Sequence, residues 1–241
     1  MQNNNLSSAH VNFINKSDLT AAKDNKWIIR EGLQFHWHNQ KYDSFDKFLD
    51  CLTSRKRKNI RRERDSIQKS GIRFEHLTSD SIKSFHWDIF YQCYLSTIER
   101  KWGGAYLTRM FFDTLSVNIA DNILLILAYD GNKAIAGALN LIGADALYGR
   151  NWGGLRDVPF LHFETCYYQA IDFAIKTGLK RVEAGAQGLH KVPRGYVPTK
   201  TYSAHKILNP QFEEAIMRFI EQETLQIDEE SLQISKNSPY K

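Results

Sequence analysis

Asn122-Ile-Leu-Leu-Ile-Leu-Ala-Tyr129-Asp130-Gly131-Asn132-Lys133-Ala-Ile-Ala-Gly-Ala-Leu-Asn-Leu-Ile142, continued by Gly143-Ala-Asp-Ala146-Leu-Tyr148-Gly-Arg150-Asn-Trp152, is the stretch that decides the fold. Two apolar runs flank Asp130-Gly131-Asn132, residues suited to a tight hairpin turn. The spacing predicts three strands, Asn122 to Tyr129, Lys133 to Ile142 and Ala146 to Trp152, in an antiparallel meander.

Before the meander, Ile72 to Leu77 alternates as a strand. Trp87, Phe90, Tyr91, Tyr94 and Ile98 then recur at helical spacing, and a second helical pattern runs from Thr108 to about Ile119. After it, a long helix carries Phe163, Cys166, Tyr167, Ala170, Ile171 and Ala174 on one face and stops at Gly178. A strand from Arg181 to Gly188 follows, then another from Tyr202 to Leu208. Asn209-Pro210 opens a final helix with Phe212, Ala215, Ile216, Phe219 and Ile220 inward and Glu213 and Glu214 near its positive end. Nearer the start, Ala9 to Ile14 and Trp27 to Trp37 read as short strands around a helix at Asp18 to Asp24. Ser44 caps a helix with Phe45, Phe48, Leu49 and Leu52 on its apolar face, continuing through a basic run to near Gly71. No internal repeat or low-complexity linker interrupts this order.

At 241 residues and 42% hydrophobic content, the chain is long enough to bury a full core. Its 32 basic and 27 acidic residues give a formal charge of +5, a mild excess unless concentrated. The concentration is Arg55-Lys56-Arg57-Lys58-Asn59-Ile60-Arg61-Arg62-Glu63-Arg64, which sets cations all round a helix. It suits the phosphates of RNA, a nucleotide-linked precursor or anionic lipid heads, or is a solvated face neutralised in part by Glu63 and Asp65. Cys51, Cys93 and Cys166 show neither metal-ligand spacing nor a disulfide framework, and no metal is implied. The polar, uncharged N-terminus lacks a secretory pattern, and the longest apolar run is too short to span a bilayer, so a cytoplasmic location is expected.

The densest polar motif runs from Glu183 to His205. Gly185 and Gly188 flank Gln187 and allow close backbone approach, while His190, Lys191 and Arg194 bring an imidazole and two cations near the strand end. His190 and His205 are the candidate general bases, since an unperturbed imidazole titrates near pH ~6.5. Each is otherwise a hydrogen-bonding core or surface residue. Glu183 orients a histidine, binds a substrate amine or pairs with Arg181. Tyr202 and Ser203 are candidate donors to a leaving group or oxyanion. Asn140, Tyr148, Arg150 and Trp152 lie on adjacent strands, where same-face side chains form a polar and aromatic wall. Glu99-Arg100-Lys101-Trp102-Gly103-Gly104 combines charge, an aromatic ring and paired glycines, as a substrate contact through Arg100 and Lys101 or as a helix stop.

The element order is that of GNAT-type N-acyltransferases, in which a splay between the fourth and fifth strands admits the acyl donor. More specifically, the chain resembles the FemAB-like family of peptidoglycan biosynthesis or recognition, a branch of the GNAT-like N-acyltransferases. The resemblance rests on Leu33-Gln34-Phe35-His36-Trp37, the basic run from Ser54 to Arg64, Glu99 to Gly103, Gly137-Ala138-Leu139-Asn140, Leu147-Tyr148-Gly149-Arg150, Leu161-His162-Phe163-Glu164, Glu183 to Gly188 with His190-Lys191, and Ser203-Ala204-His205. Two departures stand out. Ser7 to Val11 matches a point inside the family pattern, as in an N-terminally truncated member. Leu189 also stands where the family has an acid.

The resemblance implies an α+β, GNAT-like acyl-CoA N-acyltransferase fold, a mixed, mostly antiparallel sheet flanked by helices. Residues 1–70 are expected to form the remnant of a first GNAT-like half plus the basic helix, and 71–241 a complete acyltransferase domain. The implied activity is transfer of an acyl or aminoacyl group to an amine acceptor, linked to a peptidoglycan precursor. Catalysis falls to His190, His205 and Glu183; substrate binding falls to Gln187, Lys191, Arg194, Tyr202, Ser203, Asn140, Tyr148, Arg150, Trp152, Arg100 and Lys101. The donor is acetyl-CoA or aminoacyl-tRNA, with no tightly bound cofactor. Trp152 to Phe160 lacks the Gln/Arg-x-x-Gly-x-Gly/Ala spacing by which helix-start N–H groups hold pyrophosphate, which argues against an ordinary CoA site. The rival is a non-catalytic recognition module for wall precursors on a degenerate acyltransferase fold.

Overall fold

The meander forms as the residues dictate. β4 (Ile123–Asp130), β5 (Lys133–Ile142) and β6 (Ala146–Gly154) pair antiparallel in sequence order. Gly131 takes φ +57 in the first turn. β4 is buried from Ile123 to Tyr129 because neighbours flank both its edges and packing covers both its faces, hence its continuous apolar run. A computed structural model describes residues 5–100 and 103–241. Within them, contacts group the chain into two compact units: residues up to 35, 186–192 and 196–238 in the first, and 36–185, 193–195 and 239–241 in the second.

In the second unit, β3 (Arg73–Thr78) flanks β4, and β7 (Arg181–Glu183) runs parallel to β6. The other registered pairs are antiparallel, so the pairing is mixed and mostly antiparallel, as expected. α4 (Ser84–Glu99) and α5 (Arg109–Ile119) cover one face, where Trp87, Phe90, Tyr94 and Phe112 pack on Leu125, Leu127 and Leu139. α4 lies so close to β6 that a Cβ at Gly153 would stand 1.7 Å from the carbonyl oxygen of Cys93. Thr97 Oγ1 and Ser96 Oγ donate to the carbonyls of Trp152 and Gly154 across this contact, at 2.9 and 3.1 Å. A second cluster, with Ile67, Ile72, Ala128, Ile135 and Leu161, joins α3 (Ser54–Lys69) to the sheet.

Local rules account for most boundaries and fail at a few. Ser44 caps α2 (Phe45–Asp50) by accepting from Lys47 N–H, but α2 does not run on into the basic helix. Leu52 is drawn into a bridge with Tyr240, and the Thr53 N–H bonds to the Pro239 carbonyl, so the chain breaks and α3 starts afresh. The long helix after the meander is composite: α6 (Leu161–Phe163), a π-helical turn over Glu164–Tyr168, and α7 (Gln169–Thr177), stopped by Gly178 at φ +74. β7 ends at Glu183 rather than Gly188, since Gly185 turns left-handed at φ +77.

In the first unit, β1 (Ser8–Val11) pairs antiparallel with β8 (Val197–Ile207). The unit also holds α1 (Lys16–Asp24), capped by Asn15, the first part of β2 (Ile28–His38), and α8 (Pro210–Lys236). Arg30 forks onto Glu223, and Lys200 bridges Glu31 and Asp228, so ion pairs tie the strands to α8. Ile220 and Ile234 are buried on α8, whereas Phe212 and Phe219, expected inward, are each 57% exposed. No described helix is long and apolar enough to cross a membrane.

Candidate functional site

The parallel pairing of β6 and β7 spans three rungs and ends at Tyr148 opposite Glu183. The pairing stops there for local reasons. β6 accommodates one extra residue, Arg150, between the rungs Asn140 to Gly149 and Leu139 to Asn151, a bulge that bends the strand. On the other side Gly185 leaves the extended conformation. Such bulges re-aim side chains, and here the extra residue breaks the alternation that would have put Tyr148, Arg150 and Trp152 on one face. Asn140 is buried and donates to the Leu124 carbonyl at 3.4 Å. Tyr148 and Arg150 are exposed, Arg150 donating to the Tyr106 hydroxyl at 3.2 Å. Trp152 packs against His162, ring centroids 5.1 Å apart. The expected wall is therefore divided.

Glu183 is the focus of this end. Arg181 Nε donates to its Oε1 at 2.8 Å, while Arg181 also pairs with Asp145 and reaches the Tyr148 hydroxyl at 3.4 Å. The second carboxylate oxygen lies 3.6 Å from Nε2 of His36, the residue in register with Glu183 on β2. Burial lowers the His36 pKa to about 4 against the opposing pull of Glu183, so its imidazole is neutral at pH 7. His38 is lowered as well, by burial and by Arg181. A carboxylate with one lightly engaged oxygen beside a neutral imidazole is able to hold an ammonium group and take its proton. In the sequence His36 is visible only as an alternating strand position between Phe35 and Trp37; nothing local links it to Glu183.

The remaining candidates of the second unit are Arg194 and Arg100. Arg194 is buried, gives Glu63 two hydrogen bonds of 2.7 and 3.1 Å and stacks 3.4 Å over Phe163. Tyr168 donates to the same carboxylate at 2.5 Å. Nothing in the basic run around Glu63 marks it as the partner of a distant arginine. Arg100 closes α4 by donating to the Gly154 carbonyl at 3.0 Å. Lys101 lies outside the described residues.

The first unit holds the others. His190 and Gln187 are exposed, His190 on the 3-10 turn Leu189–Arg194. Its ring lies over Gly188, where a Cβ would meet it at 2.3 Å and φ is +105, so this position requires glycine. Leu189 is 61% exposed. Lys191 is buried, its Nζ 5.5 Å above the Phe35 ring. Ser203 Oγ meets His205 Nε2 at 2.8 Å, His205 Nδ1 meets His10 Nδ1 at 2.7 Å, and His10 Nε2 meets Ser8 Oγ at 2.9 Å. Both nitrogens of His205 are thus engaged, and burial, His10 and Arg30 lower its pKa. Tyr202 lines a small cleft of about 240 Å³ with Phe13, Arg30 and Glu31, and its carbonyl accepts from Ile14 N–H at 3.0 Å. Among the described residues no group of three or more His, Cys, Asp or Glu is placed to hold a metal ion.

A family described as FemAB-like, peptidoglycan biosynthesis/recognition, matches residues 1–241. The chain belongs to this family. Among solved structures, the FemAB-like chain is similar to FemX, with a TM-score of 0.66 at 12% identity over 90% of this chain and 76% of that one. It is also similar to L-PGS from Bacillus licheniformis, with a TM-score of 0.62 at 12% identity over 88% and 72%. At such identities the likeness shows the fold alone, and that fold is the GNAT-like one expected. No curated protein matches.

Proposed function

We propose that this FemAB-like protein transfers an acyl or aminoacyl group to an amine acceptor where the pairing of β6 with β7 ends. Family membership supports a transferase, its donor acyl-CoA or aminoacyl-tRNA. The observation that carries the site is Glu183 at the last parallel rung, with neutral His36 beside it and Tyr148 opposite. In this reading the acceptor ammonium binds at the open oxygen of Glu183, and Arg181 fixes the carboxylate through its other oxygen. Glu183, with His36 next to it, first takes one proton from the ammonium; the freed amine then attacks the donor carbonyl, the Tyr148 hydroxyl donating to the developing oxyanion. The C–N bond forms as the thioester C–S bond of acyl-CoA or the ester C–O bond of aminoacyl-tRNA breaks, the departing sulfur or ribose oxygen taking the second nitrogen proton. Holding amine and carbonyl together contributes through proximity.

The donor's phosphates fit α3. The solvent side of this helix carries Arg55, Lys58, Arg62 and Lys69, whereas Ile60, Glu63 and Ile67 face inward. Its first turn has no acid and its N-cap Thr53 makes no side-chain cap bond. Cations there oppose the helix dipole, an arrangement explained by an anionic partner. Aminoacyl-tRNA meets that requirement better than a CoA lacking its usual turn.

The test is a transfer assay with the whole chain, giving aminoacyl-tRNA or acetyl-CoA as donor and a peptidoglycan-precursor peptide as acceptor. Product formation that falls at least about tenfold in Glu183→Gln supports the assignment. Binding of the precursor without turnover of either donor instead supports a recognition module, the reading favoured by exposed Leu189 in place of an acid.

A further inference from the structure

A cleft of about 530 Å³ opens in the second unit between α2, α3, β3 and the π-helical turn. Phe45, Leu49, Ile67, Ile72 and Phe74 give it apolar walls. Glu164 lies in its lining and is only 3% exposed. Arg64 Nη2 and Gln169 Nε2 donate to Glu164 Oε1 at 3.1 and 2.7 Å. Glu164 Oε2 is buried without a hydrogen-bond partner among the described residues. A buried carboxylate oxygen left unsatisfied is costly, and burial raises the pKa of this carboxyl against the pull of Arg64.

The sign of the missing partner follows from what is already paired. Both guanidinium groups of the cleft are committed: Arg64 to Glu164 and, at 2.6 Å, to Asp172, with its carbon 4.2 Å above Phe45; Arg61 to Asp46 at 3.2 Å. Gln169 is held at both ends, by Glu164 and by His76 at 2.8 Å. Asp65 adds an exposed carboxylate to the lining. Acceptors therefore stand beside apolar walls, and an anion entering would meet Glu164 and Asp65. The backbone at this place is also unusual. Glu164 begins the π-helical turn, and Phe160 just before α6 sits at φ +67. Widened turns and left-handed non-glycine residues are concentrated where a side chain is held for a ligand.

We propose that this cleft binds an organic ammonium ion with an apolar body, its nitrogen donating to Oε2 of Glu164. The site shares no residue with the Glu183, His36 and Tyr148 group and stands whether or not the protein transfers acyl groups. The alkyl part lies along Phe45, Leu49 and Phe74, and Asp65 adds long-range attraction.

The probe is hexylammonium, titrated into the full chain by calorimetry and thermal shift, with hexanoate and hexanol as controls. Saturable binding of hexylammonium and none of hexanoate is expected. Glu164→Gln should weaken it at least about tenfold and Asp65→Lys by about threefold or more. Absence of saturable binding, equal binding of hexanoate, or unchanged affinity in Glu164→Gln overturns the proposal. Should Glu164→Gln not fold, Asp65→Lys decides: Asp65 is exposed, and unchanged affinity there overturns the proposal equally.

Discussion

Arg194 and Glu63 form a buried, two-pronged ion pair, with hydrogen bonds of 2.7 and 3.1 Å between residues 131 positions apart. The pair joins α3 to the turn after β7, and Tyr168 completes the carboxylate's bonding. Removing one partner strands the other charge in the interior. Arg194→Ala should therefore lower unfolding free energy by about 3–5 kcal/mol, read from urea denaturation. The double variant Glu63→Leu with Arg194→Met should lose less than the sum of the two single losses.

The backbone contact between α4 and β6 leaves no room at Gly153. Gly153→Ala would press a methyl into the Cys93 carbonyl, whose oxygen lies 1.7 Å from where that carbon must sit, and α4 would have to lift. A loss of about 3 kcal/mol or more is expected by urea denaturation. Gly104→Ala, with nothing within 4 Å of its Cβ, should be nearly neutral.

His36 makes stability depend on pH. Its pKa falls from 6.5 to about 4 on folding, so between these values the unfolded chain binds more protons than the folded one. The stabilisation is present above pH 6.5 and is lost as pH falls through about 4. His38, His76, His86 and His205 are shifted in the same direction, chiefly by burial. Urea midpoints should decline from pH 7 to pH 5, and His36→Gln should make that decline shallower.

The exposed cations of α3 predict a salt-dependent donor. Binding of aminoacyl-tRNA should weaken as salt rises, with a log–log slope reduced by about 0.7–0.9 for each phosphate contact removed in Arg55→Ala, Lys58→Ala and Arg62→Ala. Filter binding at several salt concentrations measures it. A slope near zero in the wild type would remove α3 from donor binding.

His190 and His205 separate by assay. His190 is exposed over Gly188 and has no part in the proton transfer assigned to Glu183, so His190→Ala is expected to leave the transfer rate near that of the wild type. His205 is bonded on both nitrogens within the β1 and β8 pair, so His205→Ala should cost about 1 kcal/mol of stability.

Much of the fold is legible in the residues. Asp130-Gly131-Asn132 between apolar runs specifies the hairpin, Ser44 and Asn209 cap the helices they precede, and Gly178 ends α7. These are contacts within a few residues, governed by backbone geometry and short side chains. The site is legible only in part. Glu183 stands out, but Arg64 looks like one more cation in a solvated run, although it turns inward to Glu164 and Asp172. Glu63 has the look of a neutralising surface charge and is a buried anchor.

The sequence by itself determined the positions and faces of most strands and helices, and through its motifs the family, because periodicity and turn chemistry act locally. Only the tertiary structure decided which faces meet. It set His36 against Glu183 and Glu63 against Arg194, broke α2 from α3 through Leu52, stopped β7 at three residues, and left Phe212 and Phe219 outside. Each outcome depends on a partner far away in the chain, chosen by packing and by pairing of buried charges. A local pattern records that a side chain is apolar or charged; it carries no record of what will stand opposite.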